Sequence, residues 1–244
     1  MVIININYYL KNLQTLLLIN FSYNQMIAKS IFLFILIFVK SSTLDLKQIR
    51  REILANHNYH RAMHQSGKLT RDKEIEKIAQ QYSKELAKRD VMEHSSNGYG
   101  ENLYYCGSSS GICVTGVKAS ERWYEEIKDY DYNNPVFSGT TGHFTQLVWK
   151  GSQKIGCGAA CNEKNKCYVT YNYSPAGNYE GWFASNVLEK IEITQSYDDF
   201  YEEAGKEFED EDDNEDDDED DEDAGMYLIT NKILYIISFL ILFI

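Results

Sequence analysis

Apolar residues recur at helical spacing along the first part of the chain. Leu46, Ile49, Ile53, Leu54 and Met63 approximate a 3.6-residue period over residues 45–66, with Gly67 placed to stop the helix. Ile75, Ile78, Ala79, Tyr82 and Leu86 fall at i, i+3, i+4, i+7 and i+11, a one-sided stripe that predicts a second helix over 70–89 with Thr70 as N-cap. Residues 93–115 are rich in Gly, Ser and Asn and read as an ordered loop, and a third helix near 117–130 is expected to bury Val117, Trp123, Tyr124 and Ile127. A second loop (PVFSGTTG, 135–142) follows. Residues 155–161 and 167–173 then fit two strands joined as a hairpin by a polar turn. Helices first and a hairpin late predict an α+β layered domain rather than a wound βαβ sheet.

Both ends depart from this pattern. Residues 31–39 (IFLFILIFV) are too few to cross a hydrocarbon core that needs about 20. Lys29 precedes them and Ser41, Ser42 and Thr43 follow, the pattern of a secretory signal. Residues 1–43 are therefore read as a signal region, with 26–43 the working signal peptide if Met26 initiates. A second apolar patch at 16–19 leaves open one long signal or an uncleaved anchor. At the other end, residues 198–223 hold 19 of the 37 acidic side chains against one lysine, Lys206, and read as a disordered, self-repelling stalk. Residues 224–244 form a hydrophobic tail shaped like a GPI signal, with small residues Asp223, Ala224 and Gly225 ahead of an apolar 233–244. A tail-anchored transmembrane helix is the alternative. The expectation is a protein exported from the cell and tethered to its surface, with membrane contact through this tail. The domain between them, 44–197, carries 19 basic and 18 acidic residues, so nothing suggests a nucleic-acid partner.

Export changes how the five cysteines read, because an oxidising compartment favours disulfides. Cys106 and Cys113 flank a Gly/Ser loop, and Cys161 and Cys167 flank the polar turn of the hairpin, so local pairing is cheap for both. Cys157 is then left as a free thiol, although spacing alone does not fix the connectivity.

Two segments carry a more specific signal. Residues 142–152 (GHFTQLVWKGS) and 171–179 (YNYSPAGNY) closely resemble the two signatures of the CAP superfamily, which includes cysteine-rich secretory proteins, antigen 5 and pathogenesis-related proteins. Residues 100–103 (GENL), 122–127 (RWYEEI) and 57–61 (HNYHR) match further family segments in the expected order. The resemblance implies a three-layer α-β-α sandwich. It also implies a central cavity lined by His94, Glu101, Glu126 and His143, a set able to bind Zn²⁺ or another divalent cation. Two imidazoles would supply nitrogen ligands, and two carboxylates would orient water or the imidazole N–H groups. The alternative is that the four residues only hydrogen-bond one another and tie loop 93–102 to the third helix and the 143 segment. Phe137 lies where family members have a loop proposed to bind sterol, or else it pins that loop to the core. A rival metal set, His57, His60 and His64, is spaced i, i+3, i+7 on one helix, although His57 falls on the family's structural His-Asn pair.

Three departures or near-matches qualify the resemblance. The second signature commonly has Cys where this chain has Tyr171, and the C-terminal cysteine-rich module tied to channel block is absent. The sequon Asn172-Tyr173-Ser174 precedes Pro175 inside a signature strand and is expected to be unmodified. The function expected is a non-enzymatic extracellular binding protein that carries a sterol or fatty-acid-like ligand or engages an extracellular protein partner. The alternative is a metal-dependent hydrolase with His94 and His143 as ligands and Glu101 or Glu126 as catalytic base.

Overall fold

A computed structural model describes residues 44–109 and 111–209. The signal region 1–43, the acidic run beyond 209 and the tail 224–244 lie outside the described residues. Helix α1 spans Leu46–Met63 and buries Ile49, Ile53, Leu54 and Met63, as the periodicity predicts; Asp45 caps it, Oδ1 accepting from the Gln48 N–H at 2.9 Å. Helix α2, Lys73–Arg89, is capped by Asp72 and not by Thr70. The Asp72 carboxylate accepts from the N–H groups of both Glu74 and Ile75 at 3.1 Å, which a neutral hydroxyl two residues earlier cannot match. Thr70–Arg71 instead form a two-residue strand, β1.

Strand β2, Gly100–Gly107, runs through the stretch read as loop. Its glycines and the serines that follow mask Leu103, Tyr104 and Tyr105, which are strand formers with eight rungs of partner on offer. Helix α3, Gly116–Tyr124, continues as a 3₁₀ turn over Glu125–Asp129; α4 spans Gly142–Val148. Strands β3 (Lys154–Cys161) and β4 (Lys166–Ser174) make the expected hairpin, followed by α5 (Phe183–Asn186) and α6 (Tyr197–Glu209). The sheet order is β1-β3-β4-β2, antiparallel except for the parallel β1/β3 pair.

Alternation along the strands separates the two outer layers. Gly156, Gly158 and Thr170 face α2. A Cβ on either glycine would sit 2.2–2.4 Å from the α2 backbone, so bare glycine is what lets the helix lie on the sheet. Cys157, Tyr171 and Tyr173 face the opposite way, where His57 of α1 and Trp123 of α3 pack on the two tyrosine rings. The result is the expected α-β-α sandwich.

Arg61, fully buried in α1, links this framework to α4. It donates to the carbonyls of Gly67 (2.8 Å), Leu147 (3.1 Å), Trp149 (2.8 Å) and Ser152 (2.8 Å).

Residues 198–209 correct the stalk expectation. They belong to helix α6, which buries Phe200, Ala204 and Phe208 against the domain at i, i+4 and i+8. Basic side chains lie over rings of this helix. The Arg51 guanidinium lies 3.9 Å from the Tyr201 ring centre, Arg71 lies 4.2 Å from Phe208 and the Lys68 ammonium 5.3 Å from Phe200. The domain therefore extends to Glu209. Phe208→Ala is expected to lower unfolding free energy by roughly 3 kcal/mol, read by denaturant unfolding; an unchanged midpoint would show that α6 does not dock.

Candidate functional site

Four elements carry the predicted tetrad, which forms two histidine–carboxylate pairs. His94 lies in the segment between α2 and β2, and Glu101 is the second residue of β2. The His94 Nδ1 stands 2.7 Å from Glu101 Oε1. Glu101 is further held by the Ser95 N–H (3.0 Å) and by the Ser95 hydroxyl, which donates to Oε2. Glu126, in the 3₁₀ turn after α3, meets His143 Nδ1 at 2.6 Å. Its other oxygen accepts the backbone N–H groups of His143 (3.0 Å) and Phe144 (3.1 Å) in the first turn of α4. Asn102 ties the halves together, because it neighbours Glu101 in β2 and its Nδ2 donates to the His143 carbonyl at 3.0 Å.

Each carboxylate accepts from Nδ1–H, which leaves the Nε2 of each ring facing away from its carboxylate. Among the described residues, no protein group is recorded against Nε2 of either imidazole. The donor chemistry fits a divalent cation that takes two nitrogen ligands from His94 and His143 and its remaining ligands from solvent or a bound molecule. Glu101 and Glu126 sit behind the rings and orient them. The hydrogen bond to Glu101 raises the His94 pKa above the ordinary histidine value, against a smaller opposing effect of burial.

In the rival triad both ring nitrogens of His57 and of His64 are paired, and only His60 Nδ1 is left without a partner among the described residues, which is one donor and not a ligand set. His57 Nδ1 lies 3.0 Å from the Ile53 carbonyl and Nε2 2.7 Å from the Tyr173 hydroxyl; His64 bridges the Leu188 carbonyl (2.6 Å) and the Tyr124 hydroxyl (3.0 Å). His60 Nε2 is paired with Glu121 at 3.1 Å. Burial drives the His57 pKa down to about 3 and that of His64 to about 4.

Phe137 is both exposed and anchored. It is 49% accessible, yet its ring lies 6.5 Å from that of Phe183 and a Cβ on Gly142 would reach it at 3.0 Å. The neighbouring segment adds Tyr179 (58%) and Trp182 (63%), which the sequence reading missed. Asn178 joins the two segments at α4: its Nδ2 donates to the Gly142 carbonyl at 2.9 Å, and its Oδ1 accepts from the Thr145 hydroxyl at 2.7 Å. Ser95 was also missed. Its adjacency to His94 is the only signal the sequence offers.

The cysteines pair as expected, Cys106 with Cys113 and Cys161 with Cys167, and Cys157 is a buried free thiol whose pKa burial pushes up. The sulfurs of Cys106, Cys113 and Cys167 lie within 4.8 Å of one another. All three are disulfide-bonded, so they offer a metal no thiolate. Asn172 is fully buried, in keeping with the expectation that its sequon is unmodified.

The model of the CAP, cysteine-rich secretory protein family matches residues 54–173. The chain is 40% identical over 148 residues to Golgi-associated plant pathogenesis-related protein 1 of Homo sapiens, a match covering 58% of this chain and 94% of that protein. It is 35% identical over 149 residues to pathogenesis-related protein 1A of Nicotiana tabacum, covering 60% and 87% respectively. Among solved structures, that of NaASP2 with Zn²⁺ aligns with a TM-score of 0.47 and 28% identity, over 63% of this chain and 94% of that one.

Two measurements test the electrostatics. With His57 and His64 held neutral, the unfolded chain, whose histidines titrate near 6.5, binds more protons than the folded chain between about pH 6.5 and 4. Stability should therefore fall as pH drops through that window, and His64→Gln should flatten the fall by about 2–3 kcal/mol in urea titrations at stepped pH. A slope that the substitution leaves unchanged would refute the assignment. For His94, NMR titration should show a raised midpoint that Glu101→Gln returns toward the ordinary value; a midpoint indifferent to Glu101→Gln would break the pairing.

Proposed function

The chain belongs to the CAP, cysteine-rich secretory protein family, and on that premise we propose that it is a non-enzymatic extracellular binding protein for a sterol or fatty-acid-like ligand. The observation that carries this reading is the exposed apolar rim of Val136, Phe137, Tyr179 and Trp182. Two separate loops contribute to it, and both are fixed to the first turn of α4 at Gly142. Large side chains left in water on anchored loops mark a contact surface for an apolar partner. The His/Glu pairs next to it are proposed to hold a divalent cation, Zn²⁺ by donor type, through His94 and His143.

The hydrolase reading fares worse on geometry. A general base needs a carboxylate oxygen aimed at water, but both oxygens of Glu101 and of Glu126 already accept from chain donors, including an imidazole Nδ1 in each case. An extracellular protein partner engaging the same rim is the second reading.

Titration with a fluorescent sterol and a fluorescent fatty acid is expected to saturate for at least one of them. Trp182→Ser and Phe137→Ser should each weaken binding by roughly tenfold, the loss expected for about 1.5 kcal/mol of apolar burial, with retention of the fold checked by thermal melting. Absence of saturable uptake of either probe would leave protein recognition as the function. Calorimetry with Zn²⁺ is expected to show one site per domain, abolished in the His94→Ala/His143→Ala double variant; retention there would refute the metal assignment.

A further inference from the structure

Three strands place a cysteine on the same rung at the hairpin end of the sheet. Cys167 in β4 stands opposite Cys161 of β3 on one side and opposite Cys106 of β2 on the other. Directly opposed residues of an antiparallel pair point to the same face with Cβ atoms about 4.5–5.5 Å apart. Cys113, just ahead of α3, folds back to complete the group, so the two disulfides lie side by side. Cys167 is fully buried, whereas Cys106, Cys113 and Cys161 are half-buried. Cys167 therefore has a bonded partner on one flank and an equally placed cysteine on the other. The Cα separation of opposed antiparallel residues suits a disulfide in either direction. Cys157, four residues back along β3 and about 13 Å away, is out of reach.

We infer that this row is a thiol–disulfide exchange site that takes a low-molecular-weight thiol. The incoming thiolate attacks the half-exposed Sγ of Cys161; a mixed disulfide forms there, the Cys161–Cys167 bond breaks and Cys167 leaves as the thiolate. Cys167 then attacks Sγ of Cys106. The cross-strand Cys106–Cys167 bond forms as Cys106–Cys113 breaks, and Cys113 leaves as the thiolate. When Cys113 attacks Sγ of Cys161, the small thiol is expelled and Cys113–Cys161 closes. The net change is an isomerisation that consumes neither oxidant nor reductant. Its first exchange within the chain moves a covalent link from the segment ahead of α3, where Thr115 caps the helix, to the β2/β4 pair at the hairpin end of the sheet.

The test follows the full chain in a reduced/oxidised glutathione buffer, trapped at intervals with N-ethylmaleimide and mapped as disulfide-linked peptides by mass spectrometry. A Cys106–Cys167 peptide is expected to appear as Cys106–Cys113 declines, together with glutathione on Cys161. Two variants approach the same bond from opposite sides. Cys161→Ser releases Cys167 and Cys113→Ser releases Cys106, and each should yield Cys106–Cys167 as the major linked species, with alkylation shifted to Cys113 and Cys161 respectively. Retention of the remaining native disulfide in either folded variant would overturn the proposal. So would a wild-type time course in which both native disulfides are reduced without any Cys106–Cys167 peptide, and that measurement decides the matter even if a variant does not fold.

Discussion

The buried guanidinium of Arg61 is the constraint on which the rest of the architecture depends. An arginine keeps its charge under all ordinary conditions, and an uncompensated charge in a protein interior costs several kcal/mol. The chain must therefore bring acceptors to it. It does so with carbonyls from the turn after α1, the end of α4 and the approach to β3. The last carbonyls of a short helix have no partner within the helix, so α4 and Arg61 satisfy each other. Ser152, whose carbonyl joins this set, accepts from Gln146 Nε2 through its hydroxyl and donates to the Pro175 carbonyl; Gln146 Oε1 in turn accepts the Gly177 N–H. With its far end held in this way, α4 presents its first turn, and with it His143, at a fixed place.

A second buried chain fixes that first turn from below. His57 donates through Nδ1 to Ile53 and so must accept at Nε2 from the Tyr173 hydroxyl, which itself accepts from Asn102 Nδ2 at 3.2 Å. The same amide holds the His143 carbonyl. Polar groups this deep are costly unless each is paired, and paired ones specify one arrangement of the elements that carry them. The histidine that the family resemblance assigns to structure is thus connected, through one tyrosine and one asparagine, to the histidine it assigns to the site.

What the sequence made legible follows from how local each signal is. Helices α1 and α2 were visible because their burial is one-sided and periodic. The β3/β4 hairpin was visible because two β-rich runs flank a polar turn. Strand β2 was not, since its pairing depends on β4, some seventy residues away, and its own glycines suggest a loop. Nor was β1, two residues whose only reason to be a strand is the edge of β3. Helix α6 was hidden by charge: a count of carboxylates between 198 and 223 sees a solvated tail, whereas Phe200, Ala204 and Phe208 form an apolar stripe facing basic side chains of the domain. The tetrad could be found only by resemblance, because residues 94, 101, 126 and 143 share no spacing and pair, His94 with Glu101 and His143 with Glu126, only once the chain has folded. Trp182 gave no signal that distinguishes it from an ordinary loop residue, and Ser95 none beyond its place next to His94.

The two histidine–carboxylate pairs are not equivalent, and the difference determines how the site and the rim relate. Glu126 is fixed by two backbone N–H groups of a helix whose far end is held by Arg61, and the His143 ring stacks near Trp123, whose indole donates to the Leu103 carbonyl. Glu101 depends on Ser95 from a loop, and the side chain of His94 is 63% exposed. If both imidazoles hold the proposed cation, His143 would be preorganised and His94 would have to be ordered on binding, at an entropic cost borne by the loop. The apolar rim is joined to the preorganised side through Gly142, next in sequence to His143, and Asn178, within the second signature. On the proposed function, a ligand that immobilised Phe137 and Trp182 would act first on the position of His143 and Glu126, because the rim loops are fixed at Gly142 beside them.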